Sequence, residues 1–201
     1  EAPSYFPTVA EPNEARGAVF VEDGWYAPLK KRLAEPLRSA FVLAYHSGIR
    51  VHEMLRLRWQ HVDTKARIAT LPAEITKTGK SRLVPWHSEV KLKPGKPEDL
   101  VFPLGNFRWA WYKAAVAVGA GRWETNEKGR KRYVGLLLRH CRHTFVRNAS
   151  DAGLEDKRIM DITGHVTHAT FERYNIGKKE DVQRATRLLE KAHTRRQQRS
   201  R

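Results

Sequence analysis

The chain has 201 residues, 40% of them hydrophobic, enough for one sizeable domain with a core of its own. No run approaches the roughly 20 apolar residues of a membrane span, no signal-peptide pattern opens the chain, and the single cysteine, Cys141, excludes an internal disulfide framework and fits a reducing compartment. Thirty-eight Lys and Arg against 22 Asp and Glu give a formal charge of +16, which makes a polyanion, DNA or RNA first, the partner to consider and an anionic membrane surface the weaker one.

In chain order, residues 1–20 carry Pro3, Pro7 and Pro12 with little periodicity and read as an irregular leader or linker. The first residue is Glu1 and not Met, which reads as a fragment or a processed product. From about Val21 the pattern turns helical, with Leu37, Phe41, Ala44 and Tyr45 on one face of a helix that ends at Ser47-Gly48. A second helix is expected near Val51, carrying an apolar stripe of Val51, Met54, Leu55 and Trp59, with Arg50 at its entrance. "ARIATLPAEITKTGKSRLVPW" is rich in Ile, Val and Thr and predicts a small antiparallel sheet of two or three strands, with a glycine-containing turn at Lys77–Lys80.

"LKPGKPEDL" reads as a loop, and "GNFRWAWYKAAVAVG" as a helix burying Phe107, Ala110, Trp111, Ala114, Ala115 and Val118. "RWETNEKGRKRY" reads as a polar, basic connection. Two shorter helices follow, around "LLRHCRHTFVRNAS" and "EDKRIMDI", and "EDVQRATRLLEKAHTRRQQ" closes the chain as a basic helix or tail. No internal repeat is evident. The expected fold class is α+β, mostly α: a helical domain with one small antiparallel β-sheet.

Several residues are suited to phosphate chemistry. "SGIRVHE" puts Arg50 at a helix N-terminus, a place that favours anions. "RHCRHTF" puts Arg139 and Arg142 three apart, which predicts one helix face. "TKTGKSR" puts Lys77 and Lys80 on a hairpin turn, and His165 follows Gly164, nine residues ahead of Tyr174. Arginine suits a phosphate because its planar fork binds two oxygens and stays charged. Taken singly, each has an ordinary structural reading: surface charge, solvated turn lysine, packed tyrosine. Their order along the chain is what carries information.

That order resembles the tyrosine recombinase (phage-type integrase) family, over about Val21 to Leu189. The family's first box, a helix break, Gly, an apolar residue and Arg with Glu three later, stands here as "YHSGIRVHEMLRLRW"; its hairpin lysine as "ITKTGKSRLVPW"; its second box as "RHCRHTF"; its third as Gly164, His165 and Tyr174. The resemblance implies a catalytic domain at 21–177 followed by a basic helix or tail at 178–201. It implies Arg50, Lys77 (with Lys80 as the fallback), Arg142, His165 and Tyr174 as catalytic residues, and Glu53 and His143 as supporting ones.

The family's usual first histidine of the second box falls on Arg139, a possible catalytic residue at that variant position, and His140 lies about 100° around a helix from it. The implied activity is that of a site-specific DNA recombinase working through a 3′-phosphotyrosine, without cofactor or metal. The implied partner is double-stranded DNA carrying a specific site, with a tetramer on DNA in the full-length protein and a cytoplasmic setting. A type IB topoisomerase-like relaxase, or a DNA-binding module with an inert site, would use the same residues or surface. A zinc site at His140, Cys141 and His143, with His165 and His168, is disfavoured because paired CxxC ligands are absent.

Overall fold

The computed structural model describes residues 19–172. Residues 1–18 of the expected leader, Tyr174 and the basic C-terminal segment lie outside the described residues. The elements run α1 (Asp23–Arg32), α2 (Leu37–Ser47), α3 (Val51–Met54), β1 (Val62–Asp63), β2 (Ile68–Leu71), β3 (Arg82–Pro85), α4 (Arg108–Ala117), β4 (Gly121–Thr125), β5 (Lys131–Gly135), α5 (Cys141–Asp151), α6 (Asp156–Thr163) and α7 (His168–Glu172). Helices with small antiparallel sheets make this an α+β fold, as the sequence pattern implies.

Helix α2 forms the centre: Leu37, Ala40, Phe41, Val42, Leu43 and Ala44 are all buried, and the helix packs against α5. It stops at Gly48, which adopts a left-handed φ of 61° and returns its N–H to the Ala44 carbonyl at 3.0 Å. A Cβ on Gly48 would sit 2.7 Å from Phe145 Cδ1, so both the backbone angle and the close approach of α5 require glycine there. The main core gathers α2 with Met54, Leu57, Trp86, Trp111 and Tyr133, and a smaller cluster of Phe145, Val146, Ala149, Ile159 and Phe171 lies under α5, α6 and α7.

Helix α3 is a single turn, shorter than the stripe through Trp59 predicts. Beyond Met54 the chain leaves the helix to pair with residues 97–101: Trp59 and Gln60 donate to the Asp99 and Pro97 carbonyls, and Val101 donates to Leu57. Trp59 then opens a 3₁₀ turn, Trp59–His61. The expected sheet is present with three strands in the order β1-β2-β3, and β2 and β3 are joined through the segment that carries Lys77.

The stretch taken as a polar connection is instead a second sheet, the hairpin β4–β5. Arg122, Glu124 and Arg132 share one face, where Glu124 pairs with both arginines, and they mask the cross-strand pair of Trp123 and Tyr133 on the other. Trp123 faces Tyr133 across the ladder, Tyr133 stacks on Tyr112 of α4 at 4.1 Å, and the Tyr133 hydroxyl and the Trp111 indole both donate to the Leu136 carbonyl at 2.7 Å. One residue of the predicted α4 stripe, Ala110, is exposed, and Tyr112, which the stripe did not include, is buried against this hairpin.

Gly135 has φ 144° and faces Gly121 so closely that a Cβ would overlap the Gly121 Cα. Gly135→Ala is therefore expected to cost about 1–3 kcal/mol, read as a lowered urea midpoint with an unchanged slope.

The chain enters the domain along α5. Val21 N–H donates to Thr144 Oγ1 at 2.8 Å, His143 Nδ1–H donates to the Val19 carbonyl at 3.0 Å, and the Arg147 guanidinium covers the Phe20 ring at 4.4 Å.

Candidate active site

The last turn of α6 organises the site. A helix C-terminus leaves carbonyls without intrahelical partners and carries partial negative charge. Here three arginines from three separate parts of the chain take up those carbonyls. Arg82 Nε donates to Ile162 O at 3.0 Å; Arg50 donates to Thr163 O at 3.3 Å and Gly164 O at 3.0 Å; Arg142 donates to the same Thr163 O at 2.6 Å and to Gly48 O at 2.8 Å. The two arginines expected from the first and second boxes thus meet on one oxygen.

Glu53 ties this cluster from beneath. It has no exposed surface, accepts the Arg50 backbone N–H at 3.2 Å and an Arg50 side-chain N–H at 3.2 Å, and is paired through both oxygens with Arg82. Burial alone would push its carboxyl up, but the hydrogen bond and charge of Arg82, with the charge of Arg50, outweigh that and hold it below the usual range.

Arg82 is the member that the sequence reading missed. A signal was available: it lies two residues before buried Val84 in β3, in phase with the inward face, where a solvated arginine does not belong. Lys77 is exposed, and its backbone N–H reaches Glu53 Oε1 at 3.5 Å, which sets the turn beside the arginine cluster. Lys80 is exposed too and lines an open cavity of about 650 Å³ with Arg82, Arg158, Ile162 and His165.

His165 follows Gly164, whose N–H caps α6 on the Met160 carbonyl at 2.7 Å. Its Nδ1 lies 2.9 Å from Thr163 Oγ1, and that hydroxyl donates to the Ile159 carbonyl at 2.6 Å. A carbonyl only accepts, so the hydroxyl proton is committed there, Nδ1 is the protonated nitrogen, and Nε2 keeps its lone pair. Burial, then the charges of Arg142, Arg50 and Arg82, lowers the His165 pKa to about 3. In the DNA-free protein the His165 ring is therefore expected to stay neutral and Nδ1-protonated from pH 8 to pH 5, seen as imidazole ¹⁵N shifts that do not move over that interval.

Phe171 of α7 packs edge-on against the His165 ring at 5.7 Å, three residues before Tyr174. Tyr174 itself lies outside the described residues.

Arg139 does not share a helix face with Arg142. It sits in a 3₁₀ turn, Leu138–His140, and is exposed, whereas Arg142 is in α5 and only 7% exposed. His140 is buried, accepts the Leu137 N–H on Nδ1 at 3.1 Å and lies parallel to the His143 ring, and burial lowers its pKa to about 3. His143 faces the incoming chain at Val19 and ties it to α5.

Among the described residues, ligand-type atoms also gather at His46, His87 and Glu89. Those two rings stack face to face at 3.6 Å and 7°, so their in-plane lone pairs run side by side instead of converging. Glu89 there already accepts from Tyr26 at 2.7 Å and Lys30 at 2.8 Å.

The Phage integrase family profile matches residues 26–92, a stretch that holds Arg50, Glu53, Lys77 and Arg82. The tyrosine recombinase XerC of Xanthomonas campestris pv. campestris (strain B100) is 28% identical over 97% of this chain. The chain is thus similar to a tyrosine recombinase along nearly its whole length. It spans 58% of the length of that XerC.

Among solved structures, the catalytic domain of bacteriophage HP1 integrase superposes with a TM-score of 0.61 at 20% identity, covering 84% of this chain and 94% of that one. The XerA recombinase gives 0.62 at 19% identity, covering 86% and 65%. These likenesses establish a shared fold with tyrosine recombinase catalytic domains.

Proposed function

We propose that this chain is the catalytic part of a site-specific DNA recombinase that cleaves and rejoins strands of double-stranded DNA through Tyr174. The observation that carries this reading is the convergence of Arg50 and Arg142 on the Thr163 carbonyl, two residues before His165. Two fixed guanidiniums side by side offer a fork for the non-bridging oxygens of a phosphodiester, whose negative charge grows as a fifth oxygen approaches phosphorus.

In this reading the Tyr174 oxygen attacks phosphorus and the bond to the 5′ oxygen breaks, leaving a 3′-phosphotyrosine. The phenolic proton passes to a base, a role for the lone pair of His165 Nε2 once the negative charge of a bound phosphate offsets the arginine charges that help hold its pKa low, and the departing 5′ oxygen takes a proton from Lys77. Attack by a 5′-hydroxyl on the phosphotyrosine reverses every step, so the bond energy is kept and no external energy source is required. The share of proton transfer usually expected of the histidine at position 139 falls to His165 and Lys77, because an arginine does not give up its proton near neutral pH. The +16 charge supports DNA as the substrate and implies an affinity that falls steeply with salt.

The test is a nicked suicide substrate carrying the recombination site, on which the released strand cannot return. The wild-type chain is expected to accumulate a covalent protein–DNA adduct and Tyr174→Phe none. An adduct that persists in Tyr174→Phe removes Tyr174 as the nucleophile. Strand exchange between two sites, as against relaxation of a supercoiled circle, separates recombinase from relaxase.

A further inference from the structure

Arg139 lines a second cavity, of about 330 Å³, beside the turn of α3 that follows Arg50. Its walls are Phe107, Trp111, Tyr112 and Leu138, with Arg108 and Arg139 as the cations. The volume falls at the small end of ligand pockets, about 300–1,000 Å³, with room for a single flat ring system and its appendage. The walls are set in advance: the Trp111 indole is held by its bond to Leu136 O at 2.7 Å, and Tyr112 is stacked on Tyr133 at 4.1 Å and 10°.

Both cations are exposed. Both line the one cavity, and while burial pushes the Tyr112 phenol up, the charges of Arg108 and Arg139 pull against it. Helix stability gives no account of Arg108: it opens α4, and a cation in a first turn opposes the helix dipole. One partly exposed aromatic ring, Phe107, with two guanidiniums lining the same cavity complements a ligand that is itself flat and carries an anion.

We propose that this cavity is a nucleoside-phosphate site: the base lies against Phe107, over a floor fixed by the buried Trp111 and Tyr112, and the phosphate lies between Arg108 and Arg139. The ligand is either one unstacked nucleotide of a DNA strand or a free nucleotide. The strand source rests on the reading of the chain as a DNA strand transferase; the site chemistry does not. With a strand bound, Arg139 holds a phosphate next to a base instead of taking the proton-transfer part of a histidine.

The test uses the full chain and dAMP, with inorganic phosphate as the control, followed by calorimetry. Saturable dAMP binding is expected, at least about tenfold tighter than inorganic phosphate, since base stacking on aromatic side chains supplies a factor of that order. Phe107→Ala and Arg108→Glu are each expected to weaken dAMP about tenfold or more, while the urea midpoint of Arg108→Glu, a change at an exposed first-turn position, does not fall below the wild-type value. Absence of saturable binding, equal affinity for phosphate and dAMP, or wild-type affinity in Arg108→Glu overturns the proposal.

A single-stranded oligonucleotide then assigns the source. Displacement of dAMP by the oligonucleotide, with displacement weakened in Arg108→Glu, identifies the strand nucleotide; dAMP binding that the oligonucleotide leaves intact identifies a free nucleotide. Adduct formation on the suicide substrate, measured separately, reports on Tyr174 chemistry whatever the cavity binds, so either reading can fail without the other.

Discussion

Arg142→Lys is expected to lower the single-turnover rate of covalent adduct formation on a suicide substrate by about 10²–10³, the usual loss when one fixed donor to a developing oxyanion is removed. The geometry says why a retained positive charge is not enough. One nitrogen of the Arg142 guanidinium already serves two carbonyls, Gly48 O at 2.8 Å and Thr163 O at 2.6 Å, and the rigid fork turns its other N–H groups in a direction that those bonds define. A lysine has one ammonium on a flexible stem. It can stay with the carbonyls or reach for a phosphate, but it cannot present a fork while doing both. Salt-dependent DNA affinity is expected to change little by comparison, because one phosphate contact among many is altered. A near-normal adduct rate in Arg142→Lys would remove Arg142 from the reaction.

Glu53→Ala is expected to be the most damaging single change to stability outside the glycines, at about 3–5 kcal/mol by urea denaturation, the range for stripping one partner from a buried charge pair. Glu53 is fully buried, and the Arg82 side chain that it pairs with is only 7% exposed, so alanine leaves arginine charge in the interior with its carboxylate gone. Glu53→Gln keeps the shape and part of the hydrogen bonding, and its loss is expected to be smaller.

The pH dependence has a definite sign. Because the carboxyl is held below its usual range in the folded protein, its contribution is complete above the unfolded pKa of about 4.3 and is lost as pH falls through the folded value. The difference in stability between wild type and Glu53→Gln should therefore be constant above about pH 5 and shrink on acidification below it. A constant difference down to pH 2 would show that the charge of Glu53 contributes nothing.

The parts of the site that could be read from the sequence are those built from local spacing. Arg50 and Glu53 share one turn, so their partnership follows from three residues of separation, and Gly48 marks the end of α2 by its place after an apolar stripe. Features that depend on distant chain were hidden. The single turn of α3 is short because residues 97–101 compete for the backbone after Met54, which no pattern within α3 reveals. The β4–β5 hairpin was masked by charges on its outer face, although the asparagine and glycine of "NEKG" form its turn, with Asn126 Oδ1 accepting from Lys128 and Arg130. Arg82 needed the strand register of β3 to be taken literally. Arg139 lies in the 3₁₀ turn ahead of Cys141 and is exposed, whereas Arg142 lies in α5 and is buried, a difference that three residues of separation did not reveal.

The single oxygen at Thr163 also has a mechanical consequence. Two cations hinged on one atom repel each other less than their separation would suggest, since that atom's partial negative charge lies between them. They are also linked as a pair: a shift of the end of α6 carries Arg50 and Arg142 in the same direction, with Arg82 following through Ile162. Thermal motion of α6 should accordingly move the arginine cluster as one body and leave its internal spacing nearly constant. For the phosphate grip proposed for this site, constancy of spacing matters more than constancy of place.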